Sequence, residues 1–167
     1  MDPTINKPSI HTKLQTIIMN HLKKFESFNN ENLQRKFIWI HGLPGSGKTH
    51  LSNEISKDQK FVILDDIGNI SKVVSNLDKE NNIILSSPYF DNYINLGLDL
   101  KLKSILKDYD YDIDEIWFEN NPENCIKNIK NRTDHKIDSV SIIPEIPNFS
   151  RNYIIPVGVK TIPVLSY

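Results

Sequence analysis

Eight consecutive residues, Gly42-Leu43-Pro44-Gly45-Ser46-Gly47-Lys48-Thr49, carry the densest chemistry in this 167-residue chain. Three of the chain's six glycines fall within them. Glycine reaches left-handed backbone angles without a Cβ clash, so such a run can curl with its main-chain N–H groups inward, as an anion requires. The spacing fits G-x-x-x-x-G-K-[ST] at every fixed position. In that arrangement a lysine reaches the outer phosphates of a nucleotide, and the hydroxyl beside it ligates Mg²⁺. Gly42, Leu43, Pro44, Gly45, Ser46, Gly47, Lys48, Thr49 and the following His50 are therefore the candidate nucleotide-binding residues, with ATP and Mg²⁺ as the implied ligands and Thr49 as the metal-ligating hydroxyl.

Other reactive side chains stand at the ends of apolar runs. Phe61-Val62-Ile63-Leu64 ends in Asp65-Asp66. One reading is a carboxylate in the shell of a metal, which suits either acid. The other is a substrate-side acid, with Asp65 the preferred general base for an attacking hydroxyl. Ile83-Ile84-Leu85 ends in Ser86-Ser87-Pro88-Tyr89, where a metal-shell acid is the usual expectation and hydroxyls stand instead. Tyr89 can stack on a base or simply pack. Arg132 ends an apolar-periodic segment that precedes an irregular stretch. It suits a lid arginine that stabilises a transferring phosphoryl group or a cation favoured at a helix C-terminus. Arg151 has the same two readings. The five histidines show no metal-ligand spacing, and His41 and His50 read more simply as fillers beside the loop than as catalysts.

These residues need elements to hold them. Phe37-Ile38-Trp39-Ile40-His41 reads as a strand leading into the loop, and Thr49–Ser56 as the helix that follows, with Leu51 and Ile55 on one face. Further strands are expected at 61–66, 83–88, 112–119 and 161–165, the last an edge because of Pro163. Helices are expected at 69–80, 94–107 and 122–132, the last opened by Pro122. Alternating strands and helices predict an α/β fold with a parallel, doubly wound sheet. Sites in such sheets lie beyond the carboxyl ends of the strands, which brings His41–Thr49, Asp65-Asp66, Ser86–Tyr89 and Glu119-Asn120 to one rim. Ahead of this lies a polar arm with Pro3 and Pro8, then an amphipathic helix over 11–28 carrying Leu14, Ile17, Ile18, Leu22 and Phe25.

Composition narrows the setting. There are 25 Ile and 19 Asn, no Ala, and 17 Lys against 3 Arg, so arginines carry more information than lysines. The formal net charge of −1 gives no global pull toward nucleic acid. It is spread as +4 over residues 1–57, −7 over 58–120 and +2 over 121–167, which confines any nucleic-acid contact to the loop end and the last third. A lone Cys125 excludes a disulfide framework and a zinc site and favours a reducing compartment. With no run of 18 apolar residues and no signal-peptide pattern, no membrane partner is expected and the location is read as cytoplasmic, host cytoplasm if the source is viral.

The loop GLPGSGKT, the strand ending in Asp65-Asp66, and the segment Ile116-Trp117-Phe118-Glu119-Asn120-Asn121-Pro122-Glu123-Asn124-Cys125 running on to Asn128 and Arg132 together resemble small phage P-loop kinases. The tail around Tyr153-Ile154-Ile155-Pro156 and Ile162-Pro163-Val164 is also similar to them. Such kinases include polynucleotide kinases and kinases of 5-hydroxymethyluracil in phage DNA. The resemblance implies a P-loop kinase-like three-layer fold with a five-stranded parallel sheet over 36–167, residues 1–35 standing outside it as arm and helix, and a lid at about 132–150. It implies ATP as donor and a hydroxyl of a nucleotide or DNA as acceptor, 5-hydroxymethyluracil being the most specific choice. Lys48 would bind phosphate, Thr49 would hold Mg²⁺, Asp65 would be the base, Arg132 the lid arginine, and Asp65, Asp66 and Tyr89 would face the acceptor. Ser86-Ser87 departs from the pattern, since these kinases often carry an acid before the proline. The alternatives are a P-loop NTPase or switch, and a catalytically silent nucleotide-binding module.

Overall fold

The computed structural model describes residues 35–57, 60–79, 81–91, 97–132 and 141–165. The arm and amphipathic helix expected before residue 35, and the part of the expected lid over 133–140, lie outside the described residues. The chain divides between Leu33 and Gln34, and the described residues all belong to the second unit, Gln34–Tyr167.

Five strands form one sheet: β1 (Lys36–His41), β2 (Val62–Leu64), β3 (Ile83–Leu85), β4 (Asp112–Phe118) and β5 (Thr161–Ile162). Their order is β2-β3-β1-β4-β5 and every pairing is parallel. This is the α/β, P-loop kinase-like three-layer arrangement, with β1 at the centre and β5 at an edge. Pro163, which cannot donate to a ladder, directly follows that edge strand. In the central strand Phe37, Ile38, Trp39 and Ile40 are all buried, as a strand covered on both faces requires.

Helices fill the crossovers: α1 (Lys48–Ile55), α2 (Ile70–Leu77), α3 (Leu98–Asp108), α4 (Pro122–Asn131) and α5 (Ile146–Asn152). Asn69 caps α2 by accepting from Ser71 N, and Asn121 caps α4 by accepting from Asn124 N, with Pro122 in the first turn. One core joins alternate residues of β1 and β3 (Phe37, Trp39, Ile83, Leu85) to Val73 and Leu77 of α2 and Leu102 and Leu106 of α3. A second gathers Leu43 of the loop, Trp117, Cys125, Ile129, Ile146, Tyr153 and Val164. The strand and helix positions agree with those expected to within a few residues. The difference is α5, inside the stretch expected to be irregular. Ile142, Ile146 and Phe149 do share a helical face, but Pro144 and Pro147 obscure it in sequence; both sit in first turns, where the missing N–H costs nothing.

Leu77 is fully buried between α2 and the sheet. Leu77→Ala should cost about 2–5 kcal/mol of unfolding free energy, read as a lowered denaturant midpoint at unchanged slope.

Candidate functional site

The loop leaving β1 folds as the glycine spacing requires. Gly45 and Gly47 have φ of +84° and +104°, in the left-handed region. A Cβ on Gly45 would lie 2.5 Å from Cys125 O, and one on Gly47 would lie 2.8 Å from the Leu165 side chain. Both glycines therefore combine a backbone constraint with a close contact. Ser46 N donates to Leu43 O (3.1 Å), closing the turn. Gly47 is the N-cap of α1, no side chain caps that helix, and its first turn holds no acid. Its leading N–H groups and positive dipole end are thus left for an anion.

The loop is braced from outside by the last third of the chain. Buried Asn128 of α4 donates through Nδ2 to Gly45 O (2.9 Å) and also to Leu165 O. Leu165 N in turn donates to Ser46 O (3.1 Å). Outward carbonyls are satisfied by these bonds, so the inward N–H face is not drawn away from its curl. Cys125, beneath Gly45, is buried and burial pushes its thiol up to about 11, which makes it a packing residue.

Lys48 folds back over the loop, its Nζ donating to Gly42 O (2.7 Å) and Leu43 O (3.1 Å). Burial lowers its pKa below the ordinary value of 10.5, opposed by the negative charges of Asp91, Asp65 and Asp66. Thr49 Oγ1 donates to Asp65 Oδ2 (2.7 Å), and Ser86 Oγ donates to Asp65 Oδ1 (2.9 Å). Three strand ends thus meet at one carboxylate: β1 through the loop, β2 through Asp65 and β3 through Ser86. Ser87 Oγ donates to Ile67 O (2.6 Å), fastening the segment after β3 to the turn after β2. Asp66 is exposed with φ +50°, a left-handed angle that aspartate tolerates better than most residues. The carboxylate, the hydroxyl beside it and the glycine cradle suit a phosphate chain with its cation. Ser46 Oγ, buried and without a hydrogen-bond partner among the described residues, is a further donor for such a ligand.

Gly42 to Thr49, Asp65, Asp66 and Ser86, all expected from sequence at the site, form one rim. His50 is exposed one residue further along α1. The side chain of Tyr89, in the 3-10 turn Pro88–Phe90, lies outside the described residues. Arg132 is the exposed C-cap of α4, and Arg151 is exposed in the last turn of α5. The described residues bring neither arginine into hydrogen-bond contact with Lys48 or Asp65.

Sequence reasoning also missed a buried ionisable pair. His41 Nδ1 donates to Asp91 Oδ1 (2.8 Å), with both residues buried. The imidazole is stacked between Trp39 (centroids 4.8 Å apart) and Trp117 (3.9 Å). Fifty residues separate the partners in sequence, and no local spacing marks the pair.

No protein-family model matches the chain. A protein named "Uncharacterized protein R277", from Acanthamoeba polyphaga mimivirus, is 35% identical over 130 residues, covering 72% of this chain and 88% of that protein. A chain from the structure of the PezAT chromosomal toxin-antitoxin system of Streptococcus pneumoniae is 16% identical with a TM-score of 0.45, covering 87% of this chain and 77% of that one.

Two outcomes are expected from the bracing and the burial. Asn128→Ala, which strips the donor from two carbonyls, should lower stability by about 1–3 kcal/mol and weaken nucleotide binding in calorimetry. Lys48→Met should abolish that binding and remove the pH dependence of stability that the buried cation contributes. The sign follows from linkage: the folded chain releases the Lys48 proton at lower pH than the unfolded chain does. This group therefore makes stability rise with pH up to 10.5, a rise that Lys48→Met should lack.

Proposed function

The chain belongs to the same family as protein R277 of Acanthamoeba polyphaga mimivirus, and we propose that it is an ATP-dependent phosphotransferase acting on a hydroxyl of a nucleotide or nucleic acid. The observation that carries this reading is the junction of Thr49 and Asp65 (2.7 Å) beside the glycine cradle. It sets a proton acceptor next to the place where a terminal phosphate would lie.

Roles follow from the chemistry of each group. The main-chain N–H groups of 45–49 and the α1 N-terminus bind the phosphate chain. Lys48 exchanges its two carbonyl partners for phosphate oxygens. Thr49 would hold Mg²⁺, with Asp65 or Asp66 in its outer shell. Bound ATP and Mg²⁺ supply the transferable phosphoryl group and neutralise its charge. Asp65 takes the proton as the acceptor oxygen bonds to the γ-phosphorus; the bond from that phosphorus to the β-bridging oxygen breaks and ADP leaves. Arg132, at the end of α4, is the cation proposed to close over the transferring group. On this reading residues 36–167 are the kinase domain and about 132–150 its lid.

The acceptor proposed is a hydroxymethylpyrimidine of DNA, 5-hydroxymethyluracil foremost, with Asp65, Asp66 and Tyr89 facing it, in the cytoplasm of the infected host if the source is viral. No helix of the described residues is long and apolar enough to cross a membrane. A second reading, a silent nucleotide-binding module, draws on Ser86 standing where an acid is usual. The bond from Ser86 to Asp65 argues against it, because the carboxylate needed at the rim is supplied from β2 and oriented by that serine.

The deciding experiment follows labelled γ-phosphate from ATP to hydroxymethyluracil DNA, plain DNA with free 5′-hydroxyls, and nucleosides. Label on at least one acceptor is expected; ATP bound with no label on any acceptor would overturn the kinase reading. Asp65→Asn should lower kcat by about a hundredfold or more while ATP affinity changes little, and an unchanged kcat would remove the base assignment.

A further inference from the structure

We propose that His41 and Asp91 are a positioning pair that fixes the segment after β3, on the acceptor side, to the phosphate loop. The inference rests on the phosphoryl-transfer reading. A core gains little from such a pair. Two ionisable side chains, 3% and 1% exposed, replace what could be apolar packing, and apolar replacements of buried pairs are often neutral or stabilising. Nor is the pair fully satisfied: His41 Nε2 and Asp91 Oδ2 are buried without hydrogen-bond partners among the described residues. Among those residues, Glu115 of β4 stands 4.0 Å from His41 Nε2 and is itself bound to Lys103 of α3 at 2.6 Å. An unpaired buried polar atom calls for an explanation beyond stability.

Its place in the fold supplies one. His41 directly precedes Gly42, whose carbonyl holds Lys48. Asp91 closes the 3-10 turn after β3, its N–H donating to Pro88 O (3.1 Å). The segment between starts at Ser86, which donates to Asp65, and Asp65 accepts from Thr49. A closed circuit results: Lys48 to Gly42, His41 to Asp91, back along the chain to Ser86, then Asp65, then Thr49 beside Lys48. Cutting the His41–Asp91 bond opens the circuit on the side away from the carboxylate. The stacked indoles prevent the imidazole from turning away, so Nδ1 stays aimed at Asp91. Trp39 and Trp117 are the only tryptophans in the sequence, so the protein's intrinsic fluorescence reports on this imidazole directly.

The test uses the full chain. The double substitution His41→Phe with Asp91→Leu keeps an aromatic stack and an apolar core and deletes the link. It should melt at or above the wild-type temperature and bind ATP within about threefold of it, while kcat/KM for the acceptor falls about tenfold or more. Asp91→Asn, which keeps one acceptor oxygen for Nδ1–H, should fall between the two. Wild-type kcat/KM in the folded double variant would overturn the proposal. Should that variant not fold, Asp91→Asn decides alone: a loss of about threefold or more sustains the pair's role, and a wild-type value overturns it. If the wild-type chain transfers to no acceptor, the kinase reading fails separately. The pair is then tested by tryptophan emission. A change on adding ATP that Asp91→Asn diminishes supports the link between the loop and Asp91, and equal responses sink it.

Discussion

The phosphate loop holds its shape because its outward polar groups are bonded to parts of the chain that arrive much later. A curled backbone with N–H groups facing inward leaves carbonyls facing out, and buried carbonyls without donors would pull the loop into another conformation. Asn128 and Leu165 N meet that need at Gly45 O, Leu165 O and Ser46 O. The cradle is thus a property of the whole sheet: α4 and the tail after β5 must be in place before eight residues after β1 can bind an anion. On the proposed function that ties nucleotide binding to global folding, and the brace explains why Gly45 and Gly47 tolerate no Cβ on its side.

A similar constraint operates at Asp65. One carboxylate accepts from hydroxyls on two different elements, Thr49 and Ser86, and so registers β1, β2 and β3 against each other. A carboxylate accepting two hydroxyl bonds is held in orientation. A second acid at residue 86 would instead place two like charges together and drive one of them to its neutral form. The serine there is consistent with a rim that carries its charge on β2. On the proposed function, the resulting site would face a triphosphate with fewer negative charges than a two-acid rim.

Much of this is legible in sequence because it is local. The glycine spacing, the apolar run before it and the periodic helix after it lie within twenty residues, and each obeys a short-range rule. The ends of β2, β3 and β4 are legible for the same reason, and the parallel topology then places them on one rim. What escapes depends on distant partners. His41 next to a glycine-rich loop has no local signal that it will bond Asp91; the 50-residue separation is closed only by the β3–β1 pairing. Asn128 belongs to a segment that stands out in sequence, yet its bonds to Gly45 and Leu165 follow from helix packing across the loop. In a chain with 19 asparagines, an asparagine by itself carries little information.

Lys48 illustrates how the site sets stability against function. Its ammonium is buried, its pKa is lowered by desolvation, and it donates to two carbonyls of its own loop. Negative charges at Asp91 and Asp65 act in the other direction and favour the charged form. The cation is therefore held by neutral acceptors in a place where its charge is costly, which is the condition under which an arriving phosphate gains most from it. A lysine paired directly with a carboxylate would be better for the fold and weaker as a binding group. The stacked His41 and, among the described residues, the unpartnered Asp91 Oδ2 and Ser46 hydroxyl share that character. These departures from a fully satisfied core concentrate within one neighbourhood of the chain, and that neighbourhood is the loop.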